Sequence, residues 1–255
     1  GDGAFCCCCR VDTRTIPISV TSIGVAAFED CRNLTKITIP DSVTSIESRT
    51  FRFCMRLNEI TIPSSVKIVH GAAFMACSSL KKITIPNSVT SIGESAFCDC
   101  DSLSEITIPD CVTYIGSNAF SGIGITNIVI PDSVTNLEGG AFYNSQKLKS
   151  VKLPKTLEVI SDSLFSQCYE LENVNIPNTV TKIDTQAFQD CKKLSKVNLP
   201  SSLKEIGIYA FNGCKNLTNI SIPNNLKIVG AMAFCDCNLS QINLPKSVTE
   251  IQEYA

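Results

Sequence analysis

The 255-residue sequence has no tryptophan, one histidine and no run of about eighteen apolar residues that would span a membrane. With His70 as the single histidine, any site that needs two imidazoles is excluded. Charge is nearly balanced, with 22 Lys and Arg against 24 Asp and Glu. Nucleic-acid-binding domains have a basic footprint, so nucleic acid is not an expected partner. No membrane-spanning segment is expected in this chain either.

Proline occurs at one position of a regular repeat. The spacing is 23 residues, or 22 residues at two places, and it accounts for all eleven prolines: Pro17, Pro40, Pro63, Pro86, Pro109, Pro131, Pro154, Pro177, Pro200, Pro223 and Pro245. Eleven of the twelve phenylalanines form a second series, and Phe53 is the exception. Ten of these eleven follow the preceding proline by eleven residues, whereas Phe5 comes before the first proline. Repeats of this length are typical of solenoids, in which stacked units share one core.

The sequence therefore predicts one array over residues 1–255, made of about eleven units of 22–23 residues. No linker or change of composition divides it. The chain begins and ends inside a unit, and solenoids need polar caps at their ends. We therefore expect this array to be a fragment of a longer repeat protein.

Each unit has a recognisable order of local signals. The segment before the proline alternates apolar and polar residues, as in Ile83-Thr84-Ile85, which indicates a strand with one buried face. Valine and isoleucine three and six residues after the proline predict a second apolar edge. A glycine often follows and is expected to adopt positive φ, at Gly93, Gly116, Gly207 and Gly230. Segments such as "ESAFCDC" predict one turn of α or 3₁₀ helix.

The combined pattern "L..I.IP..V..IG..AF..C" resembles the Treponema pallidum-type leucine-rich repeat of BspA-like surface proteins, over essentially the whole chain. The resemblance implies an α/β fold: a right-handed leucine-rich-repeat solenoid with a parallel concave β-sheet, short strands, and helical turns on the other side. It also implies display at a cell surface and adhesion to host proteins.

Cysteine is abundant, and most of it occupies one repeat position. The residue three after each phenylalanine is cysteine in nine of eleven units: Cys8, Cys31, Cys54, Cys77, Cys100, Cys168, Cys191, Cys214 and Cys237. Ile123 and Ser145 fill the other two, which is typical of a small buried site. Disulfides between neighbouring units are the alternative, although parallel side chains usually lack the required dihedral angle.

The six remaining cysteines give weak signals for chemistry: Cys6, Cys7, Cys9, Cys98, Cys111 and Cys235. Zinc needs four ligands, and the "CDC" of Cys98 and Cys100 supplies two. The run Cys6 to Cys9 is interpreted as one core residue with its neighbours, with a metal site as the alternative. No cofactor or metal is expected, and no base is paired with a thiol, because His70 is expected to be a solvated turn residue.

The candidate site is the exposed face of the strands. Alternation places the residue two before each proline outward, at Thr15, Thr38, Thr61, Thr84, Thr107, Val129, Lys152, Asn175, Asn198, Ser221 and Asn243. Four residues before proline, Lys36, Glu59, Lys82 and Glu105 alternate in sign and should attract one another. These residues are either ordinary solvated sheet residues or a preformed platform for a protein or glycan ligand. The change of residue type at Val129 and Lys152 is its most distinctive part.

These patterns predict a non-enzymatic binding module for a protein or glycan ligand. The family resemblance implies that the module acts in adhesion, that the ligand is a host surface or matrix protein, and that the protein lies at the cell surface or is secreted. An intracellular protein-interaction scaffold in the cytoplasm is the alternative, because many unpaired cysteines suit a reducing compartment.

Overall fold

The computed structural model describes residues 1–8 and 12–255 of the chain. Their contacts group into two compact units, Gly1–Ile125 and Thr126–Ala255. Within each unit the chain winds in successive coils of 22–23 residues that pair in parallel. A single continuous array over the whole chain stays a prediction, as do the right hand of the solenoid and the concavity of its sheet.

The first unit contains two ladders of short parallel strands. Its strands are β1 (Thr13–Thr15), β2 (Lys36–Thr38), β3 (Ser45–Ile46), β4 (Glu59–Thr61), β5 (Ile68–Val69), β6 (Ser91–Ile92) and β7 (Tyr114–Ile115). One ladder has the order β1-β2-β4, and the other contains β3-β5-β6-β7. The first ladder is formed by the strands that the sequence predicted before each proline. The second ladder follows the proline, where the sequence predicted an apolar edge.

The second unit repeats this arrangement. Its strands are β8 (Asn127–Val129), β9 (Asn136–Leu137), β10 (Ser150–Lys152), β11 (Val159–Ile160), β12 (Asn173–Asn175), β13 (Lys182–Ile183), β14 (Lys196–Asn198), β15 (Glu205–Ile206), β16 (Ile228–Val229) and β17 (Glu250–Ile251). The ladder before the proline has the order β14-β12-β10-β8, and the ladder after it has the order β11-β13-β15-β16-β17.

The core lies between the ladders and is built from the repeated apolar positions. In the coil that starts at Pro86, Val89, Ile92, Phe97 and Leu103 are each 0% exposed. No coil could bury these side chains alone, since each needs the coils on both sides to cover it. The stacking of coils therefore supplies the core.

The segment around each phenylalanine is a series of tight turns, so the predicted helical turn is wrong. Around Phe97, the N–H of Cys98 donates to the carbonyl of Ser95 in the same coil at 3.1 Å. The N–H of Phe97 instead donates to the carbonyl of Ala119 in the next coil at 2.8 Å. Because alternate N–H groups bond to the neighbouring coil, a continuous helical pattern cannot form. The described residues form a parallel β-solenoid rather than an α/β fold.

Residues 1–8 and 12–255 contain no helix long and apolar enough to cross a membrane.

Left-handed backbone conformations occur two residues before and two residues after the phenylalanine, as at Ser95 (φ 54°) and Asp99 (φ 58°). Such residues end a right-handed helix. The glycines expected to have positive φ are not among them. A Cβ on Gly93 would lie 2.7 Å from the backbone nitrogen of Gly71 in the preceding coil. Glycine is needed there because the two backbones approach closely.

The phenylalanines stack as one column within each unit. Neighbouring ring centroids lie between 5.2 and 5.8 Å apart, with interplanar angles of 17° or less. This offset parallel arrangement avoids the repulsion of directly facing π systems. The ring of Phe53 lies outside the column and instead packs against the Arg52 guanidinium, 4.4 Å from the ring centroid.

The repeated cysteine is a buried wall residue in seven units, as predicted for a small core position, whereas Cys8 and Cys237 are half-buried. Cys54, Cys77 and Cys100 are each 0% exposed. The Sγ of Cys100 also donates to the carbonyl of Phe74 in the preceding coil at 3.1 Å. The same bond, at 3.0–3.2 Å, is made by Cys31, Cys54, Cys77, Cys168, Cys191, Cys214 and Cys237. The thiol therefore gives this carbonyl a second donor as well as filling space.

All fourteen described cysteines are free thiols. Cys6, Cys7 and Cys111 are exposed, and Cys8 is half-buried. Cys9 lies outside the described residues, so the Cys6 to Cys9 run is described only in part. Burial, followed by the charge of Asp99, raises the pKa of Cys98 to about 11.

Replacing a stacked ring should be costly. Phe97→Ala removes contacts with the rings of Phe74 and Phe120, so we expect the free energy of unfolding to fall by about 3–5 kcal/mol, measured by urea denaturation with circular dichroism. Phe53→Asn is the control, since Phe53 is half-buried and has positive φ. Phe53→Asn should lower the free energy of unfolding by less than about 1 kcal/mol. Equal losses for the two variants would contradict the role given to the stack.

Buried thiols should make the fold sensitive to alkali. Burial raises the pKa of Cys100 well above its ordinary value of 9.0. Above pH 9 the unfolded chain therefore binds fewer protons than the folded chain. The free energy of unfolding should then fall by about 1.4 kcal/mol per pH unit for each such thiol, and the full stability should be present below pH 9.

Urea denaturation at about pH 8 and about pH 10 measures this effect. The loss between the two pH values should be smaller by about 1 kcal/mol in Cys100→Ala than in the wild type. Cys111→Ala removes an exposed thiol and should leave the loss unchanged. A Cys100→Ala protein that loses as much stability as the wild type would show that this thiol is not the cause.

Candidate binding surface

The strand face is the exposed side of the ladder that precedes the proline; its side chains lie two and four residues before each proline. In β2, Ile37 is 2% exposed and points into the core, whereas Lys36 and Thr38 on either side are exposed. The pleat of a strand sends successive side chains to opposite faces, which explains this pattern. Because the ladder fixes the backbone, the exposed side chains are held at regular spacing.

Every residue predicted for this face is exposed. At the position two before each proline, these residues are Thr15, Thr38, Thr61, Thr84, Thr107, Val129, Lys152, Asn175, Asn198, Ser221 and Asn243. The ladders bring some of them directly side by side: Thr38 pairs with Thr61, Lys152 with Val129, and Asn198 with Asn175. The segments that carry Thr84, Thr107, Ser221 and Asn243 lie outside the assigned strands.

In the first unit, charges on the strand face pair with each other. Lys36 Nζ lies 2.6 Å from Glu59 Oε1, and Lys82 Nζ lies 2.8 Å from Glu105 Oε2. The hydrogen bond from Lys82 lowers the pKa of Glu105, and the same contact raises the pKa of Lys82. These pairs confirm the predicted attraction between adjacent strands. They also leave this part of the face with little free charge to offer a ligand.

In the second unit, neutral side chains take the place of ion pairs. Ser150 Oγ donates to Asn127 Oδ1 at 2.6 Å, and Asn198 Nδ2 donates to Asn175 Oδ1 at 3.2 Å. An amide that bonds to one neighbour keeps further donors and acceptors for solvent or a ligand. This half of the face can therefore make directional hydrogen bonds.

Val129 and Lys152 differ from the rest of the strand face. The Val129 side chain is 56% exposed, although it lies in a ladder of otherwise polar outward residues. Lys152 pairs with Val129 in register and is exposed. No carboxylate of the described residues lies within ion-pair distance of its ammonium group. An apolar side chain and a free ammonium group thus lie next to each other.

A shallow open depression of ≈ 460 Å³ lies at the end of the ladder of the second unit. It lies between β14 and residues 218–221 of the next coil, which do not continue the ladder, and Asn198 and Ser221 line it. Sequence reasoning missed this depression, because the repeat pattern is the same on both sides of the interruption.

Cysteine, histidine and carboxylate side chains are groups that could take part in covalent or metal chemistry. In the ranges 1–8 and 12–255, no three His, Cys, Asp or Glu side chains are placed to hold a metal ion. His70 is half-exposed, with Nε2 3.9 Å from Glu47 Oε1. Burial raises the pKa of the Cys77 and Cys100 thiols, and a protonated thiol is a poor nucleophile. What the strand face offers is hydrogen bonding, charge and a small apolar contact.

Solved structures with the same architecture include bacterial leucine-rich repeat proteins. A protein from Bacteroides ovatus is 30% identical, with a TM-score of 0.72 over 98% of this chain and 77% of that one. The Treponema pallidum leucine-rich repeat protein is 30% identical, with a TM-score of 0.58 over 63% and 78% of the two chains. The pneumococcal vaccine antigen PcpA, at 22% identity and a TM-score of 0.62 over 94% and 74%, shares the fold.

No curated protein matches the chain significantly. The family model for the BspA type leucine rich repeat region, which itself spans six copies of the repeat, matches residues 1–122, 67–195 and 184–255. These ranges cover the whole sequence and agree with the proline and phenylalanine spacing. The chain belongs to the BspA-type leucine-rich repeat family.

Proposed function

We propose that this protein is a non-enzymatic adhesion module that binds a protein or glycan through its strand face, at the cell surface or after secretion. A host surface or matrix protein is the class of ligand that the family resemblance favours. The residues that contact the ligand are those two before each proline, with Val129 and Lys152 as the centre in the second unit.

The observation that carries this proposal is the exposure of Val129 beside the unpaired Lys152 on a rigid ladder. Binding energy at interfaces is concentrated in a few side chains surrounded by polar contacts. A surface held by backbone hydrogen bonds loses little conformational entropy when it binds. The asparagine side chains around this pair provide the polar surroundings.

A second candidate function is an intracellular protein-interaction scaffold that uses the same face. It is favoured by the fourteen free thiols, since extracellular proteins usually have paired cysteines. The two candidates differ in compartment rather than in the binding surface.

Binding through the strand face can be tested with a panel of immobilised extracellular-matrix proteins and a glycan array. We expect the wild type to bind at least one member. Lys152→Glu and Val129→Ser should each weaken that binding about tenfold, because both residues would lie at the centre of the contact. Surface plasmon resonance gives the dissociation constants.

The matched control is Lys204→Glu, which makes the same charge change at an exposed position outside the strand face. It should bind as the wild type does. Equal binding by the wild type, Lys152→Glu and Val129→Ser would place the ligand elsewhere on the molecule.

Location can be measured with a membrane-impermeant amine-reactive biotin reagent on intact source cells. A surface protein should be labelled before lysis, because exposed lysines such as Lys149 and Lys152 are accessible to the reagent. Labelling only after lysis, with a cytoplasmic protein as control, would favour the intracellular scaffold.

A further inference from the structure

The turn-side groove of the first unit is an open groove of ≈ 610 Å³ beside the phenylalanine turns, away from the strand face. Among the residues that line it are Arg49, Arg52, Gly71, Ala72, Met75 and Glu94. The groove combines both signs of charge with small and apolar residues.

The groove exists because one coil has the small pair Gly71 and Ala72 where the neighbouring coils have larger residues. The backbone N–H of Arg49 donates to the backbone carbonyl of Gly71 at 3.0 Å, and the backbone N–H of Ala72 donates to the backbone carbonyl of Glu94 at 2.7 Å. These bonds place three coils next to one another. Gly71 and Ala72, in the middle coil, form a low floor between Arg49 on one side and Glu94 on the other. The walls are about two coil spacings, or about 10 Å, apart.

The charges on the walls have few partners. Arg49 and Glu94 are exposed, and neither makes an ion pair with another residue of the described ranges. Arg52 Nη1 lies 3.0 Å from Glu29 Oε1, and the guanidinium packs on the Phe53 ring. Its Nε, however, is shielded from solvent and has no hydrogen-bond partner in the described part of the chain. A shielded donor without a partner costs free energy. A ligand that allows the guanidinium to reorient can recover some of it.

We propose that the turn-side groove binds an acidic peptide segment. A carboxylate of the peptide contacts Arg49 and the outer N–H groups of Arg52, since guanidinium groups match carboxylate geometry. An apolar side chain next to that carboxylate lies on the floor formed by Gly71 and Ala72, against Met75.

The composition of the groove favours a peptide over a polyanion. Glu94 on the far wall would repel a second phosphate or sulfate of a nucleic acid or sulfated glycan. The same carboxylate can accept a hydrogen bond from a peptide N–H. The groove does not share residues with the strand face, so the two sites can succeed or fail independently.

A blocked pentapeptide, acetyl-Gly-Leu-Glu-Leu-Gly-amide, is a suitable probe, with the Gln analogue as its matched control. Isothermal titration calorimetry should show saturable binding of the Glu peptide, with the Gln peptide about fivefold weaker or more. Affinity should fall between about 0.05 M and about 0.5 M sodium chloride, because salt screens exposed charges.

Two variants test the site, and both introduce residues that other coils already have at this position. Arg49→Gln introduces the residue that another coil has at the equivalent position, Gln186. It should weaken binding of the Glu peptide about fivefold. Ala72→Met introduces the residue that another coil has at the equivalent position, Met232. It should abolish binding, because the larger side chain fills the space above the floor of the groove. Both should keep the wild-type circular dichroism spectrum. Arg56→Gln is the control, because Arg56 is exposed and outside the groove.

Reduced binding in Arg49→Gln and Ala72→Met, with unchanged binding in Arg56→Gln, supports the proposal. The proposal is overturned if the Glu and Gln peptides bind equally, if both groove variants bind as the wild type does, or if no saturable heat is seen. Sodium sulfate that binds as tightly as the Glu peptide would also overturn it, since the groove would then select an anion rather than a peptide.

Discussion

Backbone hydrogen bonds between successive coils, made at nearly constant sequence spacing, determine the positions of all other groups in each unit. The bonds between Lys36–Thr38 and Glu59–Thr61 form one line, and those between Ser45–Ile46 and Ile68–Val69 form a second. The bond from Phe97 to Ala119 belongs to a third line, on the turn side. Because these three lines of hydrogen bonds hold each coil against the one before it, equivalent residues of successive coils lie directly next to one another. The phenylalanine stack and the thiol–carbonyl bonds follow from that repetition, because both join equivalent residues of neighbouring coils.

Much of this could be predicted because repetition turns each position into a column with many examples. A column that accepts cysteine, isoleucine and serine is buried, and the structure places Cys100, Ile123 and Ser145 in the core or its wall. Period-two alternation correctly predicted the exposed threonines and asparagines. The second ladder was harder to recognise as strand, because its elements are only two residues long, as in Ser91–Ile92.

The turn around phenylalanine could not be predicted for a physical reason. Whether the N–H of Phe97 bonds within its own coil or to Ala119 is decided by the neighbouring coil, and a single copy of "ESAFCDC" is compatible with a helical turn. The left-handed positions also lack a clear sequence signal, since Ser95, Tyr209 and Met232 all occupy the same one. The turn-side groove did have a signal in the sequence. The small residues Gly71 and Ala72 occupy two repeat positions at which the coils on both sides have larger residues.

The geometry of these ladders has a mechanical consequence. The hydrogen bonds run from coil to coil, whereas the chain itself runs around each coil. A pulling force on one end of a unit therefore loads the bonds of the terminal coil first and transfers to the next coil only after the first has peeled away. Each unit should yield in steps of 22–23 residues at low force, and it should lengthen gradually under tension rather than break at once.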